Sequence, residues 1–207
     1  MKQDWKKQDK RYYLPGTDPE LMEIPEFRFF SIRGRGNPND EFFADYIQVL
    51  YSLSYAVKMS PRAGIAPSSY FEYTVYPLEG IWDLSEDAKA SSSQMLDKND
   101  LVFNLMIRQP DFVTPEFANE IIKVTSRKKP GKLLENVIFE TIRDGKCIQM
   151  LHIGPYDNEP ESFRRMEEYA QKRGLFRPVH FHREIYLSDV RKVKPDKLRT
   201  VLRFKVS

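Results

Sequence analysis

His180, His182, Glu184 and Tyr186 alternate along the segment HFHREIYLSD at residues 180–189. In a β-strand, alternate side chains share a face. These four would form one face, and Phe181, Ile185 and Leu187 on the other would suit a core. A mid-strand acid among imidazoles and a phenol fits two situations. Either the face is wet, or the glutamate is kept for a ligand. A metal site is the poorer reading, because His180 and Glu184 would stand roughly 13 Å apart along a strand. Two other constellations fail on geometry or pattern. Cys147 and His152 lie five apart on one predicted strand and face opposite ways, so Cys147 reads as a buried thiol. RGRGNPN at residues 33–39 is glycine-rich but lacks the Lys-Ser/Thr of a Walker loop.

Aromatic residues supply the other candidates. Trp82 follows Pro77-Leu78-Glu79-Gly80, and a glycine two residues before it lets another group approach closely. It fits a core or the wall of a binding site. Tyr156 sits in a Gly-Pro-Tyr loop before a predicted helix, where binding residues concentrate. Tyr76 and Glu79 flank the same segment as Trp82, although Glu79 could equally pair with an arginine. Eleven Tyr, fourteen Phe and two Trp make 13% of the chain. That many tyrosines favours an aromatic-lined cleft over a plain core, since each buried hydroxyl needs a partner.

The 207 residues suit one domain, or two small repeats sharing a core. Net charge is only +3 with acids and bases mixed, which argues against a dedicated nucleic-acid binder. No apolar run approaches the ~20 residues of a membrane span. MKQDWKKQDK lacks the apolar stretch of a secretory signal, and a single cysteine excludes an internal disulfide. These features point to a cytoplasmic protein with no cofactor, no metal and no membrane or direct nucleic-acid partner.

The polar, proline-bearing residues 1–25 read as a surface arm. EFRFFSIR at 26–33 is a predicted strand. Phe43, Tyr46, Ile47, Leu50, Leu53, Ser54 and Val57 place a helix over 41–58. Residues 70–76 and 101–108 read as strands, and 83–100 as a mobile loop. Thr114-Pro115 starts a helix that ends near Lys128. Asp144-Gly145 predicts a two-residue hairpin turn between strands at 137–142 and 146–153. A helix over 160–173 stops at Gly174, and a last strand spans 200–206. Each half runs strand, glycine loop, amphipathic helix, strand, strand. That order predicts an α+β fold of two tandem β-α-β-β repeats, about 26–112 and 137–207, joined by the helix at about 114–128. The helices would lie on one side, with a ligand groove at the seam of the helix-free faces.

Several segments together resemble one family. They are LYSLSYAVKM (50–59), YPLEGIW (76–82), LMIRQPDFVTPE (105–116), HIGPYDNEPESF (152–163), HREIYLSD (182–189) and KLRTVLRFKV (197–206). In this order they are similar to the GyrI-like small-molecule-binding proteins of SHS2 type, and most of all to the stand-alone subgroup. The resemblance implies that residues 26–207 are one such domain, with no helix-turn-helix. It also implies an aromatic cage with Glu184 as its acid. Some members of that subgroup hydrolyse cyclopropane-bearing alkylators, and others only bind or sequester ligands. On the first reading Glu184 positions or deprotonates water, its pKa raised by burial, and Tyr156 donates a proton. Trp82 stacks on the ligand, and Tyr76, Glu79 and Tyr186 complete the site. The ligand would be a planar aromatic or cationic small molecule. Asp83 stands where subgroup members often carry a second aromatic, which implies a smaller or wetter cage.

Overall fold

A computed structural model describes residues 2–90, 97–128 and 130–207. The chain opens with two single-turn helices, α1 (Trp5–Gln8) and α2 (Lys10–Tyr13). The long strand β1 (Glu20–Arg35) and helix α3 (Phe42–Lys58) follow. Next come β2 (Leu78–Leu84), the short α4 (Glu86–Ala90), β3 (Leu101–Gln109), α5 (Pro115–Lys128) and the short α6 (Lys132–Glu135). The second half runs β4 (Ile138–Ile153), α7 (Glu159–Gln171), β5 (His182–Tyr186) and β6 (Arg199–Lys205). The fold is mixed α+β, and its six strands close into a barrel in the order β1-β3-β2-β5-β6-β4, every pair antiparallel. Among the described residues, no helix is long and apolar enough to cross a membrane.

Strand alternation divides the core in two. Phe30 and Ile32 of β1, with Leu105 and Ile107 of β3, face α3 and α5. There they meet Leu50, Leu53 and Val57 of α3, and Phe117, Ala118 and Ile121 of α5. Those spacings put one apolar stripe on each helix, and each fully buried Leu, Ile or Phe contributes about 1.5–3 kcal/mol. Thr114 Oγ1 accepts from the Phe117 amide at 3.2 Å, so α5 starts where the Thr-Pro signal places it. Ile148, Met150, Leu202 and Phe204 likewise pack on Met166 and Ala170 of α7.

The helix-free face is not open. Phe27, Phe29, Met106, Leu151, Ile185 and Val201 pack there against Trp5, Tyr12 and Tyr13. The expected surface arm is therefore a plug. Trp5 Nε1 donates to the Val75 carbonyl at 3.0 Å, and Tyr13 Oη donates to Glu79 Oε1 at 2.9 Å. Arg203 reaches the Tyr12 carbonyl at 2.6 Å, and Gln149 reaches the Arg11 carbonyl at 2.9 Å. The groove expected on this face is filled by these side chains. Tyr13→Phe should destabilise the fold by about 1–3 kcal/mol in urea unfolding, because a buried Glu79 oxygen loses its donor. Unchanged stability would show that Glu79 needs no help from the plug.

Three other expectations are corrected. Asp144-Gly145 is no hairpin turn, because β4 runs straight through it. The Asp144 carboxylate is drawn to Arg183 at 2.9 Å and Arg203 at 3.7 Å. Gly145 takes φ +72°, opposite the point where Pro25 of β1 offers no amide to the ladder. Residues 70–76 form no strand, and Tyr73 keeps only an isolated bridge to Gln3. Tyr70, Phe71 and Tyr73 instead stack on Phe112, and the strand starts after Pro77. Within the expected loop 83–100 lies α4, and Ser91–Ser93 fall outside the described residues.

Candidate functional site

Glu184 lies on the helix-bearing face and is 9% exposed, so the strand face that carries it is not wet. β5 presents His182, Glu184 and Tyr186 together. β2 pairs alongside, with Gly80 opposite Glu184 and Trp82 opposite His182. Gly80 leaves room for the indole: a Cβ there would come within 2.7 Å of Trp82 Nε1. That close approach lets the Trp82 N–H donate to Tyr186 Oη at 2.7 Å. Tyr186 in turn lies beside Glu184. His182 Nε2 sits 3.0 Å from Glu184 Oε1, and its ring packs against Phe163 of α7 at 4.6 Å.

The approach to α7 closes the site. Gly154-Pro155 ends β4, and a 3-10 turn at Tyr156–Asn158 leads into the helix. Tyr156 meets Tyr186 edge-on, with centroids 6.0 Å apart. Three residues on, Glu159 turns its carboxyl toward Glu184. Phe43 of α3 and Phe103 of β3 pack against the Trp82 ring at 5.9 and 5.5 Å. The structure brings Glu184, Tyr156, Trp82 and Tyr186 together. Trp82 is also part of the core, at 6% exposed, while Tyr156 is 37% exposed at the rim.

Glu159 is the residue that sequence reasoning missed. Its position three residues after Tyr156, at the start of a helix, was the available signal. It is buried, and its Oε1 has no hydrogen-bond donor among the described residues. Burial, and then the neighbouring Glu184, push its carboxyl well above the usual range. The helix N-terminus favours an anion there by only about 0.3–1 kcal/mol. Two like charges in contact cost about 4 kcal/mol at an effective dielectric of ~20, so repulsion wins. Burial, helped by Glu184 and Glu159, also pushes the Tyr156 phenol up to about 12. It is a proton donor at neutral pH. Tyr186 is raised further, by burial first and then by Glu184.

Tyr76 and Glu79 are not brought to this site. Glu79 is three residues from Trp82 in the same strand, so it faces the other way. There it binds Arg183 at 2.8 Å and Tyr13 at 2.9 Å, and is 1% exposed. Tyr76 Oη donates to Asp9 at 2.8 Å beside the Arg108 guanidinium. Both belong to the polar network of the helix-free face. Asp83 forms an ion pair with Lys89 at 2.6 Å. Cys147 is fully buried, and burial first, then Asp144, pushes its thiol up to about 12, so it is unreactive.

A surface cavity of about 570 Å³ lies elsewhere, between the end of β4 and the first turns of α7. None of its lining residues has a buried side-chain polar atom left without a partner among the described residues. His152 Nδ1 pairs with Ser162 Oγ at 2.9 Å, and Arg165 pairs with Asp18 at 2.9 Å. Among the described residues, no buried unpartnered side-chain atom lines that space, whereas Glu159 Oε1, buried and unpartnered, lies near Glu184.

Comparisons with known proteins bear on the chain as a whole. A hydrolase from Listeria innocua is 33% identical over all of both chains, with a TM-score of 0.89. An uncharacterized conserved protein from the same organism is 35% identical, again over all of both chains, with a TM-score of 0.90. No curated protein matches the chain. The model of the GyrI-like small molecule binding domain matches residues 17–207. The chain is a member of the GyrI-like small-molecule-binding domain family.

Proposed function

We propose that the protein binds planar aromatic or cationic small molecules at the Glu184 site and hydrolyses reactive ones, such as cyclopropane-bearing alkylators. The observation that carries this reading is a buried pair of carboxyls, Glu159 and Glu184, walled by aromatic rings where β2 meets β5. Such walls favour flat ligands through stacking, and the acid adds charge or proton transfer. The likeness to a Listeria hydrolase supports catalysis. We also read residues 26–112 and 137–207 as two β-α-β-β repeats, which makes the site a seam between copies.

In a spirocyclopropyl dienone, Glu184 accepts a proton from water as the water oxygen bonds to a ring carbon. The strained carbon–carbon bond breaks, and its electron pair passes into the dienone to give a phenolate. Tyr156, a phenol at neutral pH, protonates that oxygen, and the proton taken by Glu184 restores it. Trp82 and Tyr186 hold the rings, and a ligand enters by parting the Tyr156–Tyr186 contact. Sequestration without turnover is the second reading, since the same acid among aromatic rings suits a lipophilic cation.

Trp82→Phe tests the ring contact while keeping most of the core volume. Affinity for a planar aromatic ligand, measured by calorimetry, should fall about 2- to 10-fold, or ~0.5–1.5 kcal/mol. Unchanged affinity would remove the indole from the ligand contact.

A further inference from the structure

Glu159 and Glu184 face each other as two buried carboxyls on different elements, α7 and β5. Among the described residues, neither is ion-paired to a lysine or arginine. The groups that face them are few. From β5 come His182, 3.0 Å from Glu184, and the Tyr186 hydroxyl. From the 3-10 turn come Tyr156 and Asp157, the latter paired at the surface with Lys98 at 3.3 Å. β2 contributes the neutral Trp82, and α7 the neutral Phe163. Two buried carboxyls side by side repel when both are ionised, and one proton between them relieves that repulsion. Glu159 Oε1, buried without a donor, is where such a proton is needed.

We infer that Glu159 and Glu184 hold one proton between them in the ligand-free protein and release it to solvent when an organic cation binds. The site exchanges a proton for a cation. This rests on the reading that ligands bind at Glu184. The chemistry follows from charge. With one proton the pair carries a single negative charge, which a neutral aromatic ligand leaves untouched. A cation between the rings favours the doubly ionised pair, so the proton leaves. The free protein then binds one more proton than the complex. Raising the pH therefore strengthens cation binding, by up to about tenfold per pH unit, and leaves neutral ligands unaffected.

The test is titration calorimetry in two buffers of different protonation enthalpy, at neutral and mildly alkaline pH. The probes are N-methylacridinium and its neutral counterpart acridine. Binding of N-methylacridinium should release close to one proton, and binding of acridine none. Glu159→Gln should abolish the release and flatten the pH dependence for the cation. Infrared difference spectra of the parent protein give a second reading that needs no variant. A protonated-carboxyl C=O band should be present at neutral pH and disappear when the cation is added. Cation binding without proton release, release that persists in Glu159→Gln, or no such band would each overturn the inference while leaving the site intact. Failure of both probes to bind, or parent-level affinity for N-methylacridinium in Glu184→Gln, would overturn the site reading and the inference with it.

Discussion

Glu184→Gln should bind a spirocyclopropyl dienone about as well as the parent protein and turn it over ~10²–10⁴-fold more slowly. The substitution keeps the shape of the side chain. The Trp82–Tyr186 hydrogen bond does not involve this side chain and survives. What it removes is the charge and the site that accepts a proton from water. The loss should therefore fall on turnover and not on the affinity for this uncharged ligand. Paired equilibrium binding and single-turnover rates for parent and variant make the comparison. Equal turnover in the two would take Glu184 out of the chemistry. A fall confined to the affinity for cations, with no turnover in the parent, would favour sequestration.

Arg183→Met should be the most damaging single change away from the site. Its guanidinium is 4% exposed and joins Glu79 at 2.8 Å to Asp144 at 2.9 Å. Methionine fills much of the volume but leaves two buried carboxylates facing only Tyr13 and Arg203. Breaking one partner out of such a network costs about 3–5 kcal/mol. In a chain near 200 residues that lowers Tm by roughly 6–20 °C. The pH dependence follows from Asp144. Burial alone would raise its carboxyl, but Arg183 and Arg203 hold it below the ordinary 3.8. A carboxyl depressed in the folded state contributes stability above its unfolded pKa and loses it as the pH falls through the folded value. The gap between parent and variant should therefore be full at neutral pH and narrow in acid. A cost under ~1 kcal/mol at neutral pH would mean that Glu79 and Asp144 find water or other donors.

The helices were legible because their signals are local. Leu50, Leu53 and Val57 mark α3 by spacing alone, and Thr114-Pro115 marks the start of α5. What misled the reading was chemistry supplied from far along the chain. Asp144-Gly145 carries a strong local turn signal, yet the partners that hold Asp144 in a straight strand are Arg183 and Arg203. The N-terminal residues look like a polar arm, but Tyr13 finds Glu79 66 residues away and Tyr12 meets Arg203 191 residues away. No local pattern contains those pairings.

The site was partly legible for the same reason. Glu184 and Tyr186 share a strand face by parity, and Tyr156 sits on a recognisable loop. Glu79 was misassigned because its segment was not read as a strand. Once Leu78–Leu84 is a strand, parity sends Glu79 away from Trp82 and toward Arg183. Glu159 needed the reverse step, a helical reading that begins at Tyr156 and places position i+3 on the same side.

Whether ligands bind at the Glu184 site and reactive ones are hydrolysed there can be read from the fate of the small molecule. The most direct test incubates the parent protein with a spirocyclopropyl dienone and analyses the small molecule by mass spectrometry. A product heavier by one water is expected, formed faster than in buffer and suppressed by an excess of a planar aromatic competitor. Dienone recovered unchanged after demonstrated binding, or hydrolysis that proceeds equally in Glu184→Gln, would contradict this reading.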